Sequence, residues 1–349
     1  MDTAAGIGRR GVAAMAAVAV AGTLLAACSR TAASRTATPA SAGSTAAVHQ
    51  IPPGTSLSIV RVRAGQTYQL AAGATYTGTL HVDADNVTVQ GSRRGRWPVI
   101  IRHSAGSDIM LSGRSHTVRW LRITGRGCTG KNGYILGVDV TGPPATITDV
   151  SLYGDLYAGA YFERSASGRE LRQSVINHCD ALDPDNPGSG AFGVLLSGDH
   201  NTIEGNTIKN QITASPVYGT GVSGVEVYHG RYNTSEGNSG ANDNAITELG
   251  GAGAAGNAYV GNTFTGPGAF LITLGGGDKE NGPVRAPTMT GNPVSGEVVS
   301  YGWRQANGTL PTLRDNTILV PGGTALWTDG GFVNGGRNAV SGTVVTHRG

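Results

Sequence analysis

The chain of 349 residues carries a formal net charge of +3, only 14% charged residues and 56 glycines. Four of its arginines stand within the first 35 positions and no basic stretch is interleaved with aromatics, so a nucleic-acid partner is excluded. Length alone would allow two ordinary domains, but the glycine content and the lack of sustained helical periodicity read as one domain of short strands and turns.

Residues 1–28 read as an export signal rather than as part of the fold. Arg9 and Arg10 open it, an apolar run from Val12 to Ala27 follows, and Leu25-Ala26-Ala27-Cys28 closes it. That tetrapeptide has the pattern of a bacterial lipobox, which makes Cys28 the lipidated first residue of the mature protein. The run is too short and too alanine-rich for a spanning helix, so the expected location is extracytoplasmic, with the membrane reached only through the lipid. Residues 29–50 are rich in Ala, Ser and Thr and cannot bury enough surface to offset chain entropy, so they read as a flexible tether. Residues 51–349 are then the folded domain, expected as a monomer. Its only cysteines, Cys128 and Cys179, form either a disulfide or two separate buried thiols.

Along the folded domain one unit recurs. Asn201-Thr-Ile-Glu-Gly-Asn206 reappears as Asn233-Thr-Ser-Glu-Gly-Asn238 and as Asn257-Ala-Tyr-Val-Gly-Asn262, always with asparagines five positions apart. Degenerate copies stand at Leu313-Arg-Asp-Asn316 and Asn338-Ala-Val-Ser-Gly, while His116-Thr-Val-Arg-Trp and Ala145-Thr-Ile-Thr-Asp keep the strand without the asparagines. Copies step by about 24 to 32 residues, a solenoid period. Each unit is a short strand, a turn and another short strand, with no helix to make a crossover, so successive coils must stack in parallel. Asparagine suits the repeated turn because it tolerates left-handed backbone and its amide can bond the same amide one coil on. Ile203, Ile208, Tyr259 and Phe264 should point inward as apolar stacks.

On these units the chain resembles the right-handed β-helix repeat proteins of the pectin-lyase-like superfamily, and Val62-Arg-Ala-Gly-Gln-Thr-Tyr-Gln-Leu resembles their opening coil. The resemblance implies an all-β fold: a single right-handed parallel β-helix of about 10–12 coils, with a groove along one face suited to an extended polymer. It implies little about activity, since that superfold hosts lyases, hydrolases, epimerases and non-catalytic adhesins. The Asn-Thr-Asp, Gly-His-Gly and Arg-Ile-Lys motifs of polygalacturonase-type hydrolases do not occur in the chain.

The departure from the repeat that matters for function is Gly224-Val-Glu-Val-Tyr-His-Gly-Arg231. It sets Glu226, Tyr228 and His229 where the preceding copy reads Val194, Leu196 and Ser197. Val225 and Val227 should face inward, Glu226 and Tyr228 outward. In the next coil Ile246-Thr-Glu248-Leu-Gly250 matches if Gly250 is equated with Gly230; Glu248 then stacks on Tyr228 and lies ~8 Å diagonally from Glu226. Two carboxylates so placed serve as acid and base on a sugar, inverting or retaining, or hold Ca²⁺ together with Asp243. Tyr228 and His229 are candidate bases, and Arg231 is a candidate substrate-binding cation for a uronate carboxylate, as elimination from such a sugar requires. The alternative is that both glutamates are ordinary solvated residues of an outer sheet face. His178-Cys-Asp180-Ala-Leu-Asp183-Pro-Asp185 is a second acidic stretch, but its spacing is not that of an EF-hand and it reads as a surface turn. The expectation is a surface β-helix that engages an acidic or neutral polysaccharide. It acts either as a lyase or glycosidase centred on Glu226 and Glu248, or as a non-catalytic binding or structural module.

Overall fold

The computed structural model describes residues 47–126, 135–154, 156–179, 191–212, 222–241, 243, 245–265, 269–274, 284–285, 287–301, 311–328 and 332–346. The expected lipidation at Cys28, most of the tether, Cys128 with its pairing to Cys179, and Asp180, Asp183 and Asp185 lie outside the described residues. Residues from Ala46 onward form one compact unit. Among the described residues there are 30 strands and one short 3-10 turn, and no helix is long and apolar enough to cross a membrane. The strand Val48–Ile51 pairs in parallel register with Thr67–Leu70. Folded chain therefore begins three residues before the expected boundary at 51, because this strand supplies hydrogen-bond partners to the otherwise open edge of the first coil.

Each strand pairs in parallel with its counterpart one coil on. One line of register partners runs His81, Met110, Asp139, Tyr161, Leu195, Glu226, Glu248, Ile272, Val299, Trp327, Val345. These eleven rungs agree with the expected coil number.

The repeat owes its shape to a corner. In Thr202–Glu204 and Thr207–Lys209 the two short strands meet at Gly205, whose φ is 62°. Gly237 and Gly261 sit at the same left-handed corner with φ of 61° and 59°. The left-handed residue is thus the glycine and not, as expected, the asparagine. Glycine takes that conformation without a Cβ penalty, which leaves the following asparagine free to turn its amide inside. Asn206 donates through its backbone N–H and Nδ2 to Asn238 Oδ1 at 2.9 and 3.0 Å, and Asn238 does the same to Asn262 Oδ1 at 2.9 Å each. The ladder continues through Asn292 and Asn316 to Asn338. It satisfies buried N–H groups that the bend would otherwise orphan.

Inside the coil, Leu171, Ile203, Ser235, Tyr259, Met289 and Leu313 stack as successive register partners. Ile203, Ile208, Tyr259 and Phe264 are all buried as expected, and each large side chain so placed contributes roughly 1.5–3 kcal/mol. On the strands of the three coils before the candidate site, Gly137, Gly159 and Gly193 each leave no room for a Cβ. A Cβ on Gly193 would stand 2.5 Å from the Gly224 carbonyl oxygen and 2.9 Å from Ile176 Cγ2. Backbone of neighbouring coils touches there, so only glycine fits.

Candidate functional site

The strand Val222–Tyr228 places Val225 and Val227 in the core, each 1% exposed, and holds Glu226 and Tyr228 half-buried on its outer side. The next coil repeats the arrangement in Ala245–Gly250: Thr247 and Leu249 are buried and Glu248 is half-buried. The expected faces are present, but the expected register is not. Glu226 pairs with Glu248, and Tyr228 with Gly250. The step between ladder asparagines here is 24 residues, whereas the glutamates are two residues closer along the chain. Corner lengths differ between coils, so equating Gly230 with Gly250 slid the pairing by two residues. A two-residue slip preserves the face, and the outward orientation therefore survived the error. On the other side Glu226 pairs with Leu195 rather than Val194. That one-residue difference exchanges faces, since Val194 and Val225 are both buried.

The outcome is closer than expected. Two carboxyl-bearing residues stand on adjacent rungs, one strand spacing of ~4.8 Å apart at the backbone. Burial pushes the Glu226 carboxyl well above the usual carboxylate range, and the neighbouring Glu248 raises it further. The Ser223 hydroxyl pulls the other way, although its Oγ makes no hydrogen bond of ordinary geometry. Desolvation pushes Glu248 up to about 7. Two like charges this close resist joint ionisation, so the pair gives up its two protons in separate steps.

His229 and Arg231 are not brought to the pair. His229 stands in the turn beyond the strand with φ 68°, and its Nδ1 donates to the Ala252 carbonyl at 3.0 Å. Its ring meets that of Tyr228 edge-on, centroids 4.1 Å apart. Arg231 Nε donates to the Gly253 carbonyl at 3.0 Å and its backbone N–H to Asp199 Oδ1 at 2.8 Å. Both residues hold the 251–253 turn of the following coil. Asp243 is 2% exposed, and its Oδ1 accepts the backbone N–H of Gln211 at 2.7 Å. Gln211 in turn accepts the backbone N–H of Cys179 at 2.9 Å, so Asp243 belongs to a second corner ladder instead of facing the groove with Glu248. Burial pushes Asp243 up to about 7. Among the described residues no group of three or more His, Cys, Asp or Glu side chains is placed to hold a metal ion.

Sequence reasoning missed a second cluster on the same line of rungs. Asp139 is 5% exposed between buried Val138 and Val140 and accepts from Ser107 Oγ at 3.2 Å. Its register neighbour is Tyr161 on the strand Ala158–Phe162, and Glu163 follows directly after that strand ends. The signal was present: Val138-Asp139-Val140 repeats the pattern of Val225-Glu226-Val227.

No protein-family model and no curated protein sequence matches the chain. Solved structures do. The Dettilon tailspike protein superimposes with a TM-score of 0.57 at 14% identity, over 81% of this chain and 62% of that one. An alginate lyase from Paenibacillus sp. str. FPU-7 superimposes with a TM-score of 0.53 at 14% identity, over 84% of this chain and 99% of that one. The fold is a right-handed parallel β-helix. This β-helix spans less than two thirds of the tailspike chain, and at such identities the likeness is one of fold.

Proposed function

We propose that this β-helix binds a polysaccharide along its outer face and cleaves it by acid–base chemistry at Glu226 and Glu248. The observation that carries the reading is the in-register pairing of these two carboxyls, one raised well above its ordinary range and the other to about 7. The protonated member gives its proton to the leaving glycosidic oxygen, while the ionised member attacks the anomeric carbon or activates water. The register sets both side chains on one outer column, one strand spacing of ~4.8 Å apart at the backbone. Hydrolysis is favoured over elimination. A lyase must neutralise a uronate carboxylate, and Arg231 is engaged at Gly253. The tailspike and lyase folds support a surface that accepts long polymers. The reading includes lipidation at Cys28, which would hold the domain on the extracytoplasmic side of a membrane as a monomer.

The test is incubation of the purified protein with a panel of polysaccharides, with and without EDTA. New reducing ends without ultraviolet-absorbing unsaturated products are expected, unaffected by EDTA. Glu226→Gln and Glu248→Gln should each lower turnover by about 10²–10⁴-fold while binding persists. Binding without turnover on every polymer would make the protein a carbohydrate-binding module and overturn the catalytic reading.

A further inference from the structure

The second cluster has a chemistry of its own. Asp139 lies on Ile135–Val140, and Ser107 on Gly106–Leu111 of the preceding coil satisfies its Oδ2. Its Oδ1 is buried and has no hydrogen-bond partner. A buried carboxylate oxygen left without a donor costs about 1–3 kcal/mol, so the position calls for N–H or O–H groups from outside the chain. Glu163 adds a second negative charge close enough to raise Asp139 further, and Tyr161 adds a hydroxyl beside Ser197.

Cations nearby do not answer these acids. Among the described residues the ion pairs are Arg172 with Glu170 and Arg337 with Asp315. Arg169 acts on Glu163 at a distance, but its Nε donates to the Gly142 carbonyl at 2.8 Å and the residue is 0% exposed. Arg164 is exposed and acts on Tyr161. A Ca²⁺ or Mg²⁺ ion would want six or more oxygens. An ammonium carries three donors in a small volume, which suits Asp139 Oδ1, Glu163 and the Tyr161 hydroxyl.

We propose that Asp139, Glu163 and Tyr161 form a subsite for the ammonium group of an amino sugar, with Asp139 three strand spacings, ~14 Å, from Glu226 along the same outer column. The inference rests on the polysaccharide reading above and names its substrate class: a glycan bearing unacetylated amino groups, with uronate polymers disfavoured by the acidic column.

Isothermal titration of the full chain with glucosamine oligosaccharides, their N-acetylated counterparts and oligouronates tests it, each with Ca²⁺ and, separately, with EDTA. The free-amine oligomer should bind at least about tenfold more tightly than the acetylated one, as for a charge-assisted contact worth ~1.5 kcal/mol. Asp139→Asn and, independently, Glu163→Gln should remove that preference with thermal midpoints retained. Equal affinity for amine and acetamide, a preference unchanged in both variants, or binding that requires Ca²⁺ would each overturn the proposal. The readout is binding, so the two readings fail separately. An Asp139-dependent preference without turnover leaves the subsite and removes the enzyme, and turnover without the preference does the reverse.

Discussion

Replacing Glu248 by glutamine keeps the shape of the side chain and removes its charge. The Glu248 carboxyl goes from an ordinary value of 4.5 to about 7 on folding because desolvation disfavours the carboxylate. The folded chain therefore holds this proton more tightly than the unfolded chain. Wild-type stability from this group is fully present below 4.5 and is lost as pH rises through about 7. At ~1.36 kcal/mol per pH unit, the loss is under ~1 kcal/mol at about pH 5 and roughly 3 kcal/mol by about pH 8.5. The neutral amide of the variant carries no such loss, and it also relieves Glu226 of a like-charged neighbour. Glu248→Gln should thus gain roughly 2–3 kcal/mol on the wild type between those two pH values, with an unchanged denaturant slope. Urea unfolding of both proteins at both pH values measures it. A difference between them that is the same at both values would refute the picture of a desolvated, mutually repelling pair and remove the basis for acid–base chemistry at the pair.

Asp243→Asn should behave alike for a different reason. Burial raises Asp243 from 3.8 to about 7, and an asparagine there keeps the acceptor for Gln211 without a charge, so the variant's advantage in denaturant midpoint should grow as pH rises from 3.8 to about 7 and level off above that. Asn238→Ala leaves the Asn206 backbone N–H without its acceptor and should cost about 2–4 kcal/mol in urea unfolding. Asn338→Ala at the part-buried end of the same ladder should cost clearly less. Gly193→Ala forces a Cβ against the Gly224 carbonyl oxygen at 2.5 Å. A loss of about 2–4 kcal/mol in thermal unfolding is expected, with no such loss for Gly261→Ser, where nothing stands within 4 Å, beyond its left-handed strain.

The coil was legible in the amino-acid sequence. Asparagines five apart and alternating apolar residues are local patterns, and a solenoid contacts only its neighbours, so local pattern is nearly the whole fold. The inward facing of Val225 and Val227 and the outward facing of Glu226 were legible too, because the side-chain period of a strand is two. Which rung meets which was settled only by the stacking of coils in three dimensions. Corners of unequal length shift the register between coils without any mark in the strand residues, and so Glu248 met Glu226 instead of Tyr228. The same stacking drew Asp139 and Tyr161 onto the column of the glutamates. It also sent Asp243, His229 and Arg231 to corners, where backbone groups of neighbouring coils claim their polar atoms.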